Sequence, residues 1–142
     1  MKMEICASIG AAGSALASYF GGWDTSLATL IMFMAVDYIT GLAVAGVFKK
    51  SKKSSSGSLE SLAGWKGLCR KGAALLLVLV GTNLDLLMGT SYIRDAVCIA
   101  FIVNETISII ENAGLMGIPI PSILIKSIDV LKNRGDDKNG NA

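Results

Sequence analysis

Long apolar blocks alternate with short polar segments along the chain. The strongest block covers residues 27–48, where 22 residues contain a single ionisable group, Asp37. At about 1.5 Å per residue a helix of this length reaches about 33 Å, and the hydrocarbon core of a bilayer is about 30 Å thick. The block has no polar face of the kind that a surface helix of a soluble protein shows. The pattern therefore predicts a membrane-spanning helix over residues 27–48.

Three further blocks have the same character, at residues 5–20, 72–89 and 96–114. The first is short, rich in small residues and interrupted by glycine, so a signal peptide is an alternative to a span there. The blocks predict an all-α integral membrane protein with three to four transmembrane helices. These helices form one domain over residues 1–121.

A shorter helix and a tail follow the fourth block. Two prolines end the apolar run, because proline cannot continue a helix. Residues 122–133 then predict an amphipathic helix that suits the membrane surface, with apolar residues on one side and charged residues elsewhere. Residues 134–142 are polar and charged, and we expect them to be disordered.

Composition supports the membrane class and excludes several others. The chain is 52% hydrophobic and 17% charged, whereas an average soluble domain carries about 25% charged residues. A net charge of +2 is too small to indicate nucleic-acid binding. Three dispersed cysteines and the absence of histidine fit neither a disulfide framework nor a metal site. With no phosphate-binding loop and no nucleophile beside a base, we predict no enzyme and no cofactor.

The segment 49–71 carries seven basic residues and one acid. Short loops rich in Lys and Arg remain in the cytoplasm, and they also contact anionic lipid. We therefore predict a cytoplasmic loop and C-terminus in a multi-pass protein of the bacterial cytoplasmic membrane. The residues predicted to set this topology and contact lipid are Lys49, Lys50, Lys52, Lys53, Arg70 and Lys71.

Three carboxylic acids lie inside the predicted spans: Asp37, Asp85 and Glu105. Counting helical rise from the cytoplasmic ends places all three near the middle of the membrane, at similar depth. The predicted spans contain no Lys, Arg or His to neutralise them, and a charge there costs at least about 2.5–3.5 kcal/mol. We therefore expect these acids to be protonated or to line a wet cavity. Three uses stay open: holding a helix bundle together, lining a pore, or relaying protons.

Small and polar residues share helix faces with these acids. Gly41 lies one turn after Asp37, and the fourth block carries a polar stripe on one face. Such faces suit close helix contacts in lipid, so we predict a homo-oligomer. The predicted oligomerisation or pore-lining residues are Asp37, Gly41, Asp85, Asn104, Glu105, Ser108, Glu111 and Asn112.

Several stretches occur in an order and spacing that carry a resemblance. They are DYITG at 37–41, SSS at 54–56, GLCRK at 67–71, Asp85, NETISIIEN at 104–112 and GIPIP at 117–121. With these stretches the chain resembles the bacteriophage holin family, which includes holin-like proteins associated with clostridial toxin secretion.

The resemblance implies a function that composition alone does not. Holins accumulate in the host cytoplasmic membrane and then assemble abruptly into lesions that release a cell-wall hydrolase (an endolysin) or export a toxin. The family implies no cofactor and no catalytic residue. Two alternatives from other classes stay open: a small ion channel or transporter subunit, and a membrane scaffold whose basic loop recruits a cytosolic partner.

Overall fold

A computed structural model describes the backbone of residues 1–140 and the side chains of residues 1–137. Within this range the chain forms five α-helices and no strand, which confirms the all-helical prediction. The helices are α1 (Lys2–Tyr19), α2 (Thr25–Gly46), α3 (Ser61–Met88), α4 (Ile93–Leu115) and α5 (Ser122–Gly140).

Two of the described helices, α2 and α3, are long and apolar enough to cross a membrane. Helix α2 begins and ends two residues before the predicted span 27–48, because Asp24 caps it and its carboxylate accepts the Leu27 N–H at 2.9 Å. Among the described residues α1 and α4 do not meet the same criterion. The predicted count of three to four spans is therefore not confirmed by length and composition.

Helix α3 begins at Ser61, well before the predicted span 72–89. The segment has no proline, and its glycines let it pack against α2: a Cβ at Gly64 would lie 3.4 Å from the Tyr38 hydroxyl oxygen. The prediction of one basic loop over 49–71 is thus wrong in its second half. Lys66, Arg70 and Lys71 are helical residues.

Helix α4 is the centre of the bundle. It packs against α2, α3 and α5, whereas α2 and α3 hardly touch each other. The apolar core lies where α2, α3 and α4 meet. Its buried residues are Leu27, Leu30, Met34, Ala74, Val78, Cys98 and Ile102. Because α2 and α3 diverge on one side of α4, a cleft opens between them.

Helix α1 stands outside this core. None of its residues is buried, and nearly all of them are exposed. The turn that follows it, not a packed face, connects α1 to the rest of the molecule.

Helix α5 returns along α4. Ile128 is buried and Leu131 packs against the core, while a Cβ at Gly135 would lie 3.4 Å from Ile99 Cγ2. The helix therefore continues past residue 133 to Gly140, where we expected disorder. That expectation is wrong for residues 134–140, because the chain there lies along α4 and contains no proline; residues 141–142 lie outside the described part.

Candidate functional site

A buried ionic triad joins three helices. Lys71 Nζ on α3 lies 2.7 Å from Asp37 Oδ2 on α2 and 2.5 Å from Glu105 Oε2 on α4. The exposed fractions of the three side chains are 14%, 6% and 8% respectively. The triad thus adds a direct ionic link between α2 and α3, which make few other contacts.

The triad corrects one premise of the sequence analysis. We expected the acids inside the spans to have no cation beside them, because Lys71 was assigned to the loop. The early start of α3 places Lys71 at the level of Asp37 and Glu105 instead. Both carboxylates therefore share one ammonium group, and the ionised triad has a net charge of −1.

Asn112 extends the triad along α4. Its Nδ2 donates to Asp37 Oδ1 at 3.1 Å and to Thr40 Oγ1 at 2.9 Å. Gly41 faces the same amide, since a Cβ there would lie 3.8 Å from Asn112 Nδ2. The side of α2 that carries Asp37 and Gly41 thus contacts α4 within the single chain, as in the first of the three uses left open by the sequence.

The predicted polar stripe of α4 is divided between the interior and the surface. Glu105 and Asn112 are buried, Ser108 is half-buried, and Asn104 and Glu111 are exposed. The stripe therefore faces the cleft and its rim. In the described part of the chain no three His, Cys, Asp or Glu side chains lie close enough to hold a metal ion.

The cleft between α2 and α3 forms a cavity of about 720 Å³. The triad lines it together with Ser108 and Glu111 of α4 and residues of the loop before α3. Four further basic residues line it: Lys52, Lys53, Lys66 and Arg70. The cavity thus connects the buried charges with the basic segment of the chain.

Asp85 belongs to a different place in the molecule. It lies about 21 Å along α3 from Lys71, near the end of the helix. Its carboxylate accepts the N–H groups of Ile93 at 3.1 Å and Arg94 at 2.9 Å, and the hydroxyl of Thr90 at 2.6 Å. Asp85 therefore caps α4, and the prediction that it shares the depth of the other two acids is wrong.

Arg94 is a site residue that the sequence analysis did not select. Its guanidinium is buried, donates to Asp24 Oδ2 at 2.7 Å and Gly22 O at 3.1 Å, and also bonds Phe20 O. The hydrogen bond from Arg94 holds the pKa of the Asp24 carboxyl below its usual value. The sequence indicated this pair only through a single Arg and a single Asp, Arg94 and Asp24, each at the start of an apolar block.

A sequence model of the bacteriophage holin family matches residues 14–133. The chain belongs to the bacteriophage holin family. The matched region contains the triad, the cavity and the Arg94 cluster, and it leaves out the first part of α1 and the end of α5. The resemblance to holins found in the sequence is confirmed, and holins are not a family of enzymes.

This holin-family chain is similar to bacterial and phage proteins along most of its length. An uncharacterised protein of Clostridium perfringens strain 13 is 34% identical over 138 residues, which cover 94% of this chain and 96% of the relative. An uncharacterised protein of Listeria innocua is 37% identical over 139 residues, covering 96% and 94%. A protein named "Probable holin" from Bacillus phage phi105 is 29% identical over 122 residues, covering 85% and 84%. No solved structure matches the chain at a significant level.

Proposed function

We propose that this chain acts as a holin in a bacterial cytoplasmic membrane. It accumulates there, assembles with copies of itself and opens a lesion through which a cell-wall hydrolase passes. Family membership and the relative named "Probable holin" support this function. The structural observation that carries it is the buried triad, because it keeps charged groups inside a bundle that exposes many large apolar side chains.

The proposed topology has four spans, with the loop after α2 in the cytoplasm. Helices α2 and α3 supply two spans on length and composition. Helix α4 becomes a third because α2 and α3 cover Glu105 and Asn112, so that part of its polar side does not meet lipid. Helix α1 is the fourth, and the basic loop fixes the orientation of the whole.

The proposed mechanism uses the triad as a lock. In a single chain Lys71, Asp37 and Glu105 satisfy one another inside the bundle. If α4 moves away from α2, Glu105 and Asn112 join the exposed Asn104 and Glu111 as one polar face. That face would line the water of the lesion. Loss of membrane potential can favour the movement, because each charge crossing 100 mV is worth about 2.3 kcal/mol.

Inducible expression in a bacterium with a co-expressed cytosolic wall hydrolase tests the function. We expect a delay, then an abrupt collapse of membrane potential with hydrolase release and lysis. Collapse without passage of the hydrolase would instead identify a small ion channel or transporter subunit. An unchanged membrane potential at high expression would exclude both the holin and the channel, and the membrane scaffold would remain as the function. Replacing the hydrolase by a toxin-sized cargo that leaves without lysis would identify toxin export.

A further inference from the structure

The cavity between α2 and α3 has a basic rim whose side chains form no ion pair with any described residue. We define the basic rim as Lys52, Lys53, Lys66 and Arg70, which all line the cavity. In the described part of the chain none of these four forms an ion pair. The rim therefore offers several free cationic donors to an occupant of the cavity.

Three of the four acids that line the same cavity already bind other side chains of the chain. Asp37 and Glu105 bind Lys71, and Glu60 accepts hydrogen bonds from the hydroxyls of Ser55 at 3.0 Å and Ser56 at 3.2 Å. Glu111 is exposed at the edge. With Lys71 included, five basic and four acidic side chains line the cavity, so an excess of one positive charge remains.

Ser54 provides an independent sign of an occupant. It lines the cavity, and its Oγ is buried without a hydrogen-bond partner among the described residues. Leaving a buried hydroxyl unpaired costs about 1–3 kcal/mol. An acceptor group placed in the cavity would remove this cost, and the acceptor that also suits lysine and arginine is a phosphate oxygen.

We propose that the cavity binds a phosphate group, supplied by the headgroup of an anionic lipid. Ser54 donates to a phosphate oxygen, and the basic rim neutralises its charge. A volume of about 720 Å³ lies within the range of small-molecule sites, about 300–1,000 Å³, and accommodates a glycerophosphate headgroup.

The choice of lipid as the source rests on the proposed function, which places the loop at the membrane surface. A cytosolic phosphate ion has the same chemistry and is the alternative source. The site differs from general attraction of a basic loop to a membrane, because Lys49 and Lys50 do not line the cavity. These two residues therefore serve as matched controls from the same segment.

The test uses the full chain purified in detergent, with bound lipids counted by native mass spectrometry. Dihexanoyl phosphatidylglycerol, dihexanoyl phosphatidylcholine and inorganic phosphate are titrated separately. We expect one phosphatidylglycerol to bind saturably and phosphatidylcholine to bind more weakly. The pair Lys53→Gln and Arg70→Gln should weaken binding about tenfold, and Ser54→Ala about fivefold, through loss of charged hydrogen bonds. The pair Lys49→Gln and Lys50→Gln should change it less than about twofold.

Circular dichroism of each variant establishes that the helices are intact before binding is compared. Equal weakening by the two charge pairs, or binding that never saturates, would overturn the inference. Saturable binding of inorganic phosphate without phosphatidylglycerol would support a phosphate site but overturn the lipid as its source. Loss of lipid binding with hydrolase release intact rejects this inference alone, whereas retained binding without release rejects the proposed function alone.

Discussion

Lys71 holds two acidic side chains that would otherwise be buried without a cation. Removing one partner from a buried ionic group leaves an uncompensated charge and costs about 3–5 kcal/mol. We therefore expect Lys71→Met to lower stability by about that amount, measured by thermal or denaturant unfolding of the protein in detergent. Lys126→Met is the matched control, since Lys126 is exposed on α5 and should cost less than about 0.5 kcal/mol.

The triad as a whole should behave differently from its parts. Replacing all three members together, with Lys71→Met, Asp37→Leu and Glu105→Leu, removes every charge at once. Buried ionic groups replaced in this way are often neutral or more stable. We expect the triple variant to recover most of the stability lost in Lys71→Met. A triple variant as unstable as the single one would show that packing, not charge, sets the cost.

The Arg94–Asp24 pair predicts a pH dependence. Because Arg94 lowers the pKa of Asp24 in the folded protein, the unfolded state binds a proton first as pH falls. The contribution is thus fully present above about pH 5 and is lost as pH falls through the unfolded value near 3.9 to the lower folded pKa. Asp24→Asn keeps a good helix cap but removes the charge. Unfolding midpoints between pH 2.5 and pH 6 should fall less steeply in this variant; identical slopes would contradict the assignment.

At the scale of elements, α3 and α4 lie close together at Gly81. A Cβ there would lie 3.2 Å from Arg94 Cα, which is backbone and cannot rotate away. We expect Gly81→Ala to destabilise the protein by about 1–3 kcal/mol through overpacking. At Gly10 of α1 a Cβ meets nothing within 4 Å, so Gly10→Ala should be neutral or stabilising by up to about 1 kcal/mol. Unfolding of both variants in detergent separates the two cases.

The helix boundaries also show how much of the fold the sequence predicts. The apolar run located both ends of α2 within two residues. The start of α3 was missed because residues 61–71 are basic and glycine-rich, and their helical packing depends on Tyr38 of another helix. Because α3 begins at Ser61, Lys71 lies within the helix and joins the triad instead of lying in the predicted loop. Asp85 was placed at the wrong depth for a related reason. Its hydrogen-bond partners on α4 depend on the turn between α3 and α4, which the length of the apolar blocks does not reveal.

At the scale of the molecule, the polar groups are arranged in two separate layers. The triad and its cavity lie toward the loop after α2, and Arg94 lies beside Gly81, about 15 Å along α3 from Lys71. In each layer, polar groups from different parts of the chain bind one another. Large apolar side chains remain on the outer surface of the bundle. The single chain therefore satisfies these polar groups internally, and the proposed assembly would use surfaces that they leave free.

Helix α1 offers such a surface, because none of its residues is buried. Its alanines at 7, 11 and 15 recur every four residues, a spacing that lets helices approach closely in lipid. We expect Ala11→Leu to delay lysis about twofold or more by obstructing contacts between copies. Ala73→Leu is the control, since Ala73 is an exposed alanine on α3. The readout is the time from induction to collapse of membrane potential, compared at equal protein level. Unfolding midpoints should be unchanged in both variants, because neither side chain is buried. An equal delay in the two would mean that bulk on any exposed face slows assembly, and α1 would lose its particular role.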